Sequence, residues 1–259
     1  MSKPEIRTVD VIRYVTPLRE GGSLPAIVDA DDDFPYVIKF RGAGQGKKAL
    51  IAELIGGELA RAMGLKVPEL VFMNLDASFS KTEPDEEIQD LLRFSVGLNL
   101  GLHYLAGAIT FDPLVSEADA LSASKVVLLD ALITNIDRTH RNTNMLIWNK
   151  ELWLIDHGAA LYFHHSWNNW EEHAKRGFAA VKDHVMLGIA DALAEAEEEI
   201  RKQVSRETIA DIVSVIPEEW LKEEADPLGP EEKRKAYVEF ISTRLSQIDT
   251  FRIEAENAR

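Results

Sequence analysis

At 259 residues, 46% of them hydrophobic, the chain is long enough to bury one sizeable core or two lobes. A net charge of −15 and a pI near 4.9 oppose approach to polyanions, so no nucleic acid and no membrane is expected as a partner. The absence of cysteine excludes disulfides, thiolate metal sites and a cysteine nucleophile, and no signal-peptide core or bilayer-spanning apolar run is present, so a cytoplasmic protein is expected.

Val9 to Val15 suggest an opening strand, broken by Pro17 to Ser23 before a second strand, Leu24 to Val28. Gly21, Gly22 and Ser23 form a candidate phosphate-covering turn, because glycine lets backbone N–H groups approach phosphate oxygens; a plain hairpin turn is the simpler alternative. Asp29 to Pro35 is an acidic turn without the glycine and terminal glutamate of an EF-hand. Tyr36 to Phe40 reads as a strand interrupted by Lys39, and a lone strand lysine is ordinarily an edge gatekeeper. Arg41 to Lys48 is basic and glycine-rich but lacks Walker A spacing.

Lys47 to Met63 carries Leu50, Ile51, Leu54, Ile55, Leu59 and Ala62 at helical spacing, with Gly64 as its stop and two glutamates, Glu53 and Glu58, inside it. A strand, Leu70 to Leu75, follows. Ser78 to Gln89 is polar and reads as a loop, and Gly97 to Phe111 is apolar and glycine-rich.

From Ser124 to Gly158 the chain concentrates chemistry. An apolar helical run with Ser124 as its N-cap delivers a polar loop, Asn135 to Asn144. Two strand-like runs, Met145 to Trp148 and Leu152 to Ile155, then form a hairpin that returns Asp156 to the end where Asp137 and Asn142 lie. An Asp that orients an attacking hydroxyl, an Asn five residues later and an Asp-x-Gly beyond a hairpin suit phosphoryl transfer from a nucleotide. The plainer reading is a polar helix end with a capping Asn and a turn Asp.

Past Gly158, His164, His165, His173 and His184 invite a metal reading, but no pair has H-E-x-x-H spacing and zinc is set aside. Asp191 to Gln203 reads as a solvated surface helix, and Tyr237, Phe240, Ile241, Leu245 and Ile248 form a core stripe.

NIDRTHRNTNML followed by LIDHGAAL resembles the HipA-like kinases, and strand-Lys39, helix-Glu53 and Gly-Leu-x-Val-Pro upstream resemble their small lobe in the same order. The resemblance implies an α+β, bilobal protein-kinase-like fold: a small antiparallel β lobe with one helix over residues 1–73, and a mainly helical large lobe over 74–259. It implies that Asp137 orients or deprotonates the acceptor hydroxyl, Lys39 clamps phosphates, Glu53 positions Lys39, and Asn142 and Asp156 hold magnesium against ATP. Phe72 to Asp76 would be the linker between lobes, with Asn74 beside the adenine. Arg138 and Arg141 are either helpers of transition-state charge or surface residues. His157 stands where kinases usually have Phe, and the length leaves no room for the extra amino-terminal subdomain of the toxin kinases. The acceptor hydroxyl, on protein or small molecule, stays open. The alternatives are a small-molecule or lipid-headgroup phosphotransferase, or a nucleotide-binding pseudokinase serving as an interaction module.

Overall fold

Residues 3–18, 24–223 and 227–259 are described in the computed structural model. The chain runs β1 (Thr8–Pro17), β2 (Ala26–Ala30), β3 (Pro35–Lys39), α1 (Gly46–Ala62), β4 (Leu70–Leu75), α2 (Phe79–Thr82), α3 (Glu86–Phe94), β5 (Gly97–His103) and β6 (Ile109–Thr110). It continues with α4 (Ala120–Ile133), β7 (Met145–Trp148), β8 (Glu151–Leu154), α5 (Trp170–Ala174), α6 (Leu193–Gln203), α7 (Arg206–Ser214), α8 (Glu218–Leu221), α9 (Pro230–Ser246) and α10 (Ile248–Ala258).

Five strands close a barrel in the order β1-β2-β3-β5-β4. Its pairs are antiparallel except β1 with β4. Alternation puts Val9, Val11, Val28, Tyr36, Ile38, Val71 and Met73 inside, in a core of their own. β5 supplies the closing strand, pairing with β3 from Tyr36 to Lys39 and with β4 along its whole length. The barrel therefore takes in β5, well past residue 73, and Phe72 to Leu75 of the expected linker segment are barrel wall. The reason is pairing distant in sequence, which no local pattern reports.

α1 is buried nearly all round, and its outer faces join the second core, which also takes in α4 and the helices that follow. Close approach is built in at Gly56, where an added Cβ would stand 2.6 Å from the Cβ of His157. α4 begins at Asp119, whose side chain caps Ser122 N–H at 2.8 Å, one turn before the expected Ser124 cap. Ser124 instead donates back to the Ala120 carbonyl at 2.7 Å. The supposed loop from Ser78 to Gln89 contains α2 and the start of α3, which Asp85 caps. The β7–β8 hairpin forms, its second strand running from Glu151 to Leu154 rather than from Leu152 to Ile155, with Asn149 and Lys150 in the turn at φ 51° and 64°. Two consecutive left-handed residues are what a two-residue turn needs to match strand twist. Among the described residues no helix is long and apolar enough to cross a membrane.

Candidate active site

Lys39 closes β3 and points its ammonium at two carboxylates: Glu53 Oε2 of α1 at 2.6 Å and Asp156 Oδ1, just past β8, at 2.6 Å. Glu53 is fully buried, yet its Oε2 also accepts the backbone N–H of His157 at 2.7 Å, and its Oε1 lies 3.4 Å from that ring's Nδ1. Burial alone would raise the carboxyl, but Lys39 and then His157 outweigh it and hold Glu53 far below the ordinary carboxylate range. Burial likewise opposes the Lys39 ammonium, and Glu53 with Asp156 overcome it, leaving the lysine above its ordinary value. Glu58, one turn and a half along, bonds Arg61 at 3.3 Å instead, and burial raises its carboxyl.

Below these groups the loop after α4 presents Asp137. Its Oδ2 accepts the carboxamide N–H of Asn142 at 2.9 Å and of Asn144 at 3.2 Å. Among the described residues its Oδ1 accepts no hydrogen bond. With its nitrogen committed to Asp137, the Asn142 carboxamide has its oxygen left to face a cation. Asp156 sits at φ 57°, a left-handed conformation that turns its side chain out of the hairpin, where it stays half exposed.

A cleft of about 1520 Å³ joins these elements. Val37 and Lys39 line it from the barrel, Leu102 to Leu105 from the back, and Asn142 to Leu146 with Ile155 and Asp156 from the large lobe. Asp137 meets it through Asn142 and Asn144. Gly21, Gly22 and Ser23 lie outside the described residues, although Pro17, Leu18 and Pro25 beside them line the same cleft. Asn74 is not brought to the site: it is exposed on β4, and its carboxamide donates to Asp10 at 2.8 Å. The chain that crosses between lobes is His103 to Ala108, between β5 and β6, and it lies within the apolar, glycine-rich stretch Gly97 to Phe111 that the sequence singled out without assigning it the crossing. Arg138 is buried and bonded to Asp130 at 2.6 Å, so it has no access to the cleft, whereas Arg141 is exposed on the cleft wall. His164 meets the Tyr237 hydroxyl at 2.9 Å and His184 meets Asp130.

Among the described residues no three His, Asp or Glu side chains gather as a metal cage. The donor set of one carboxylate and one carboxamide oxygen beside a lysine nevertheless fits magnesium, which usually takes one or two protein ligands and fills its octahedron with water and phosphate oxygens.

A sequence model of the HipA-like kinase family matches residues 11–252. The crystal structure of a Helicobacter pylori proinflammatory kinase, CtkA, aligns at TM-score 0.55 and 12% identity, covering 97% of this chain and 98% of that one. The Golgi casein kinase with Mn and ADP bound aligns at TM-score 0.53 and 13% identity, covering 100% of this chain and 74% of that one. A second structure of the Golgi casein kinase gives TM-score 0.52 at 13% identity, over 100% of this chain and 73% of that one. At these identities the likeness is one of fold. No curated protein matches the sequence.

Proposed function

From the premise that this chain belongs to the HipA-like kinase family, we propose that it transfers the γ-phosphoryl group of ATP, with magnesium, to a hydroxyl acceptor. The observation that carries the reading is the convergence of Lys39, Asn142 and Asp156 on one cleft, with Glu53 fixed behind the lysine and Asp137 held beside it. An ammonium has three donors, and Glu53 and Asp156 take two, leaving one for a phosphate oxygen. Glu53, kept ionised by its partners, fixes where that donor points. Asn142 and Asp156 would hold magnesium, which when bound neutralises charge on the triphosphate. The free Oδ1 of Asp137 is suited to accept the hydrogen of the incoming hydroxyl and so to orient it toward the γ-phosphoryl group.

The test is incubation with γ-labelled ATP and magnesium, following label on the protein itself, on peptides and on small alcohols. Asp137→Ala should lose about 10²–10⁴-fold in turnover, the usual contribution of an orienting base, with nucleotide affinity nearly intact. Wild-type protein that transfers no label to any hydroxyl would favour a nucleotide-binding module without catalysis.

A further inference from the structure

Asp130 lies inside α4, fully buried, in a helix whose other inward residues are almost all apolar. No step of the proposed transfer uses it. Its two oxygens nevertheless take three side chains: Oδ1 accepts the Asn135 carboxamide at 3.1 Å, and Oδ2 meets Arg138 Nε at 2.6 Å and His184 Nε2 at 2.9 Å.

Each of those partners passes a contact on to the loop that carries Asp137. Asn135 Oδ1 accepts the backbone N–H of Asp137 at 3.2 Å. Arg138 donates to the carbonyl of Asn144, and the Asn144 carboxamide reaches Asp137 Oδ2 at 3.2 Å. His184 forms a bridge with Thr139, whose N–H bonds the Asn142 carbonyl at 2.9 Å. Three separate paths thus run from one carboxylate to Asp137 and Asn142. His184 Nδ1 accepts the Met186 N–H at 3.0 Å, which makes its Nε2 the protonated nitrogen and the ring neutral. The buried charges are then one carboxylate and one guanidinium, mutually compensated.

We infer that Asp130 is a positioning residue for phosphoryl transfer: through Asn135, Arg138 and His184 it fixes the backbone and carboxylate of Asp137, the His184 path reaching that carboxylate by way of Asn142, whose carboxamide donates to it at 2.9 Å. The inference rests on the kinase reading above. A buried ion pair that served only stability would need no such outlets, because well-packed apolar residues of similar volume do as well or better. Here each outlet ends within the loop from Asn135 to Asn144, which has little apolar packing of its own: Ile136, Asp137, His140, Arg141 and Asn142 are exposed or half-buried.

The experiment compares Asp130→Asn with wild type well below the melting temperature. Turnover should fall about 10²-fold, the loss that a misplacement of order 1 Å produces. The KM for ATP should stay within about threefold, since the Lys39 cluster is untouched. In an Asp137→Ala background the same change should cost almost nothing further, because a residue that acts only through Asp137 has nothing left to position. Asn135→Ala, which cuts one path and leaves the ion pair, should show the same pattern more weakly and serves if Asp130→Asn does not fold. Normal turnover with only a lowered melting temperature, or a loss that multiplies fully with Asp137→Ala, overturns the inference. An active Asp137→Ala would instead bring down the kinase assignment of Asp137, and this inference with it.

Discussion

Glu53 and Asp130 are both fully buried carboxylates, and each faces one cation and one histidine: Lys39 and His157 for the first, Arg138 and His184 for the second. They differ in what the cation does with its remaining donors. Lys39 reaches Asp156, whose side chain is 48% exposed on the cleft, whereas Arg138 is buried and reaches a backbone carbonyl. A lysine is a compact charge with three interchangeable donors, and an arginine is a rigid fork that holds several acceptors in one plane. The first cluster is thus open to a ligand, and the second is closed around a loop. Buried charge of the same composition serves two ends according to whether one of its bonds faces solvent.

The largest expected effect separates the two by stability. Asp130→Ala strands a guanidinium that has no route to water and should cost about 3–5 kcal/mol, the range for breaking a buried pair from one side. Glu53→Ala should cost less, because Lys39 keeps Asp156 and borders the cleft. Midpoints of urea unfolding at unchanged slope would show the ranking, and a Glu53→Ala penalty equal to that of Asp130→Ala would erase the distinction between open and closed clusters.

A smaller effect tests the ligand side. At one hundred times its dissociation constant, ATP with magnesium should stabilise the folded chain by about 2.7 kcal/mol, a rise of several degrees in Tm. Asp156→Asn should remove most of the magnesium-dependent part, while Asp130→Asn, though lower in its starting Tm, should keep the increment. Magnesium alone giving wild type the same rise would point to screening of a chain of charge −15.

The smallest effect is shared by both clusters. Glu53 and Asp130 are held below their ordinary values of 4.5 and 3.8, so both bind protons more readily unfolded than folded. Their contribution is present above those values and is lost as pH falls through the depressed folded ones. Stability should therefore decline on acidification below about pH 4.5, and Glu53→Gln should decline less steeply than wild type in thermal unfolding. An identical slope would show that Glu53 contributes nothing to acid sensitivity.

Much of the site was legible because it is local. Asp137, Asn142 and Asp156 sit within a helix end, one loop and one hairpin, and Asn149, a residue type that tolerates positive φ, marks where that hairpin turns. The Lys39 and Glu53 partnership could be named only through resemblance, and the structure brings those two together at 2.6 Å rather than Lys39 and Glu58. Asn74 lies away from the site because β4 is not the last barrel strand: β5 follows it and pairs with it, and the Asn74 carboxamide bonds Asp10 instead. Arg138 looked like a surface or catalytic cation because nothing in a polar loop shows that an acidic residue eight positions earlier faces inward from an apolar helix.

By itself the sequence determined which chemistry is present and in what order: an apolar helix, a loop with Asp and Asn at fixed spacing, a hairpin, and a second Asp. These follow from period, turn propensity and spacing, which act over a few residues. Tertiary structure alone decided that β5 closes the barrel against β3 and β4, that the crossing segment is His103 to Ala108, and that Asp130 gathers Asn135, Arg138 and His184 beneath Asp137. Those choices depend on pairing and burial between residues up to tens of positions apart, where free energy is set by which partners meet in space and not by what each residue prefers alone.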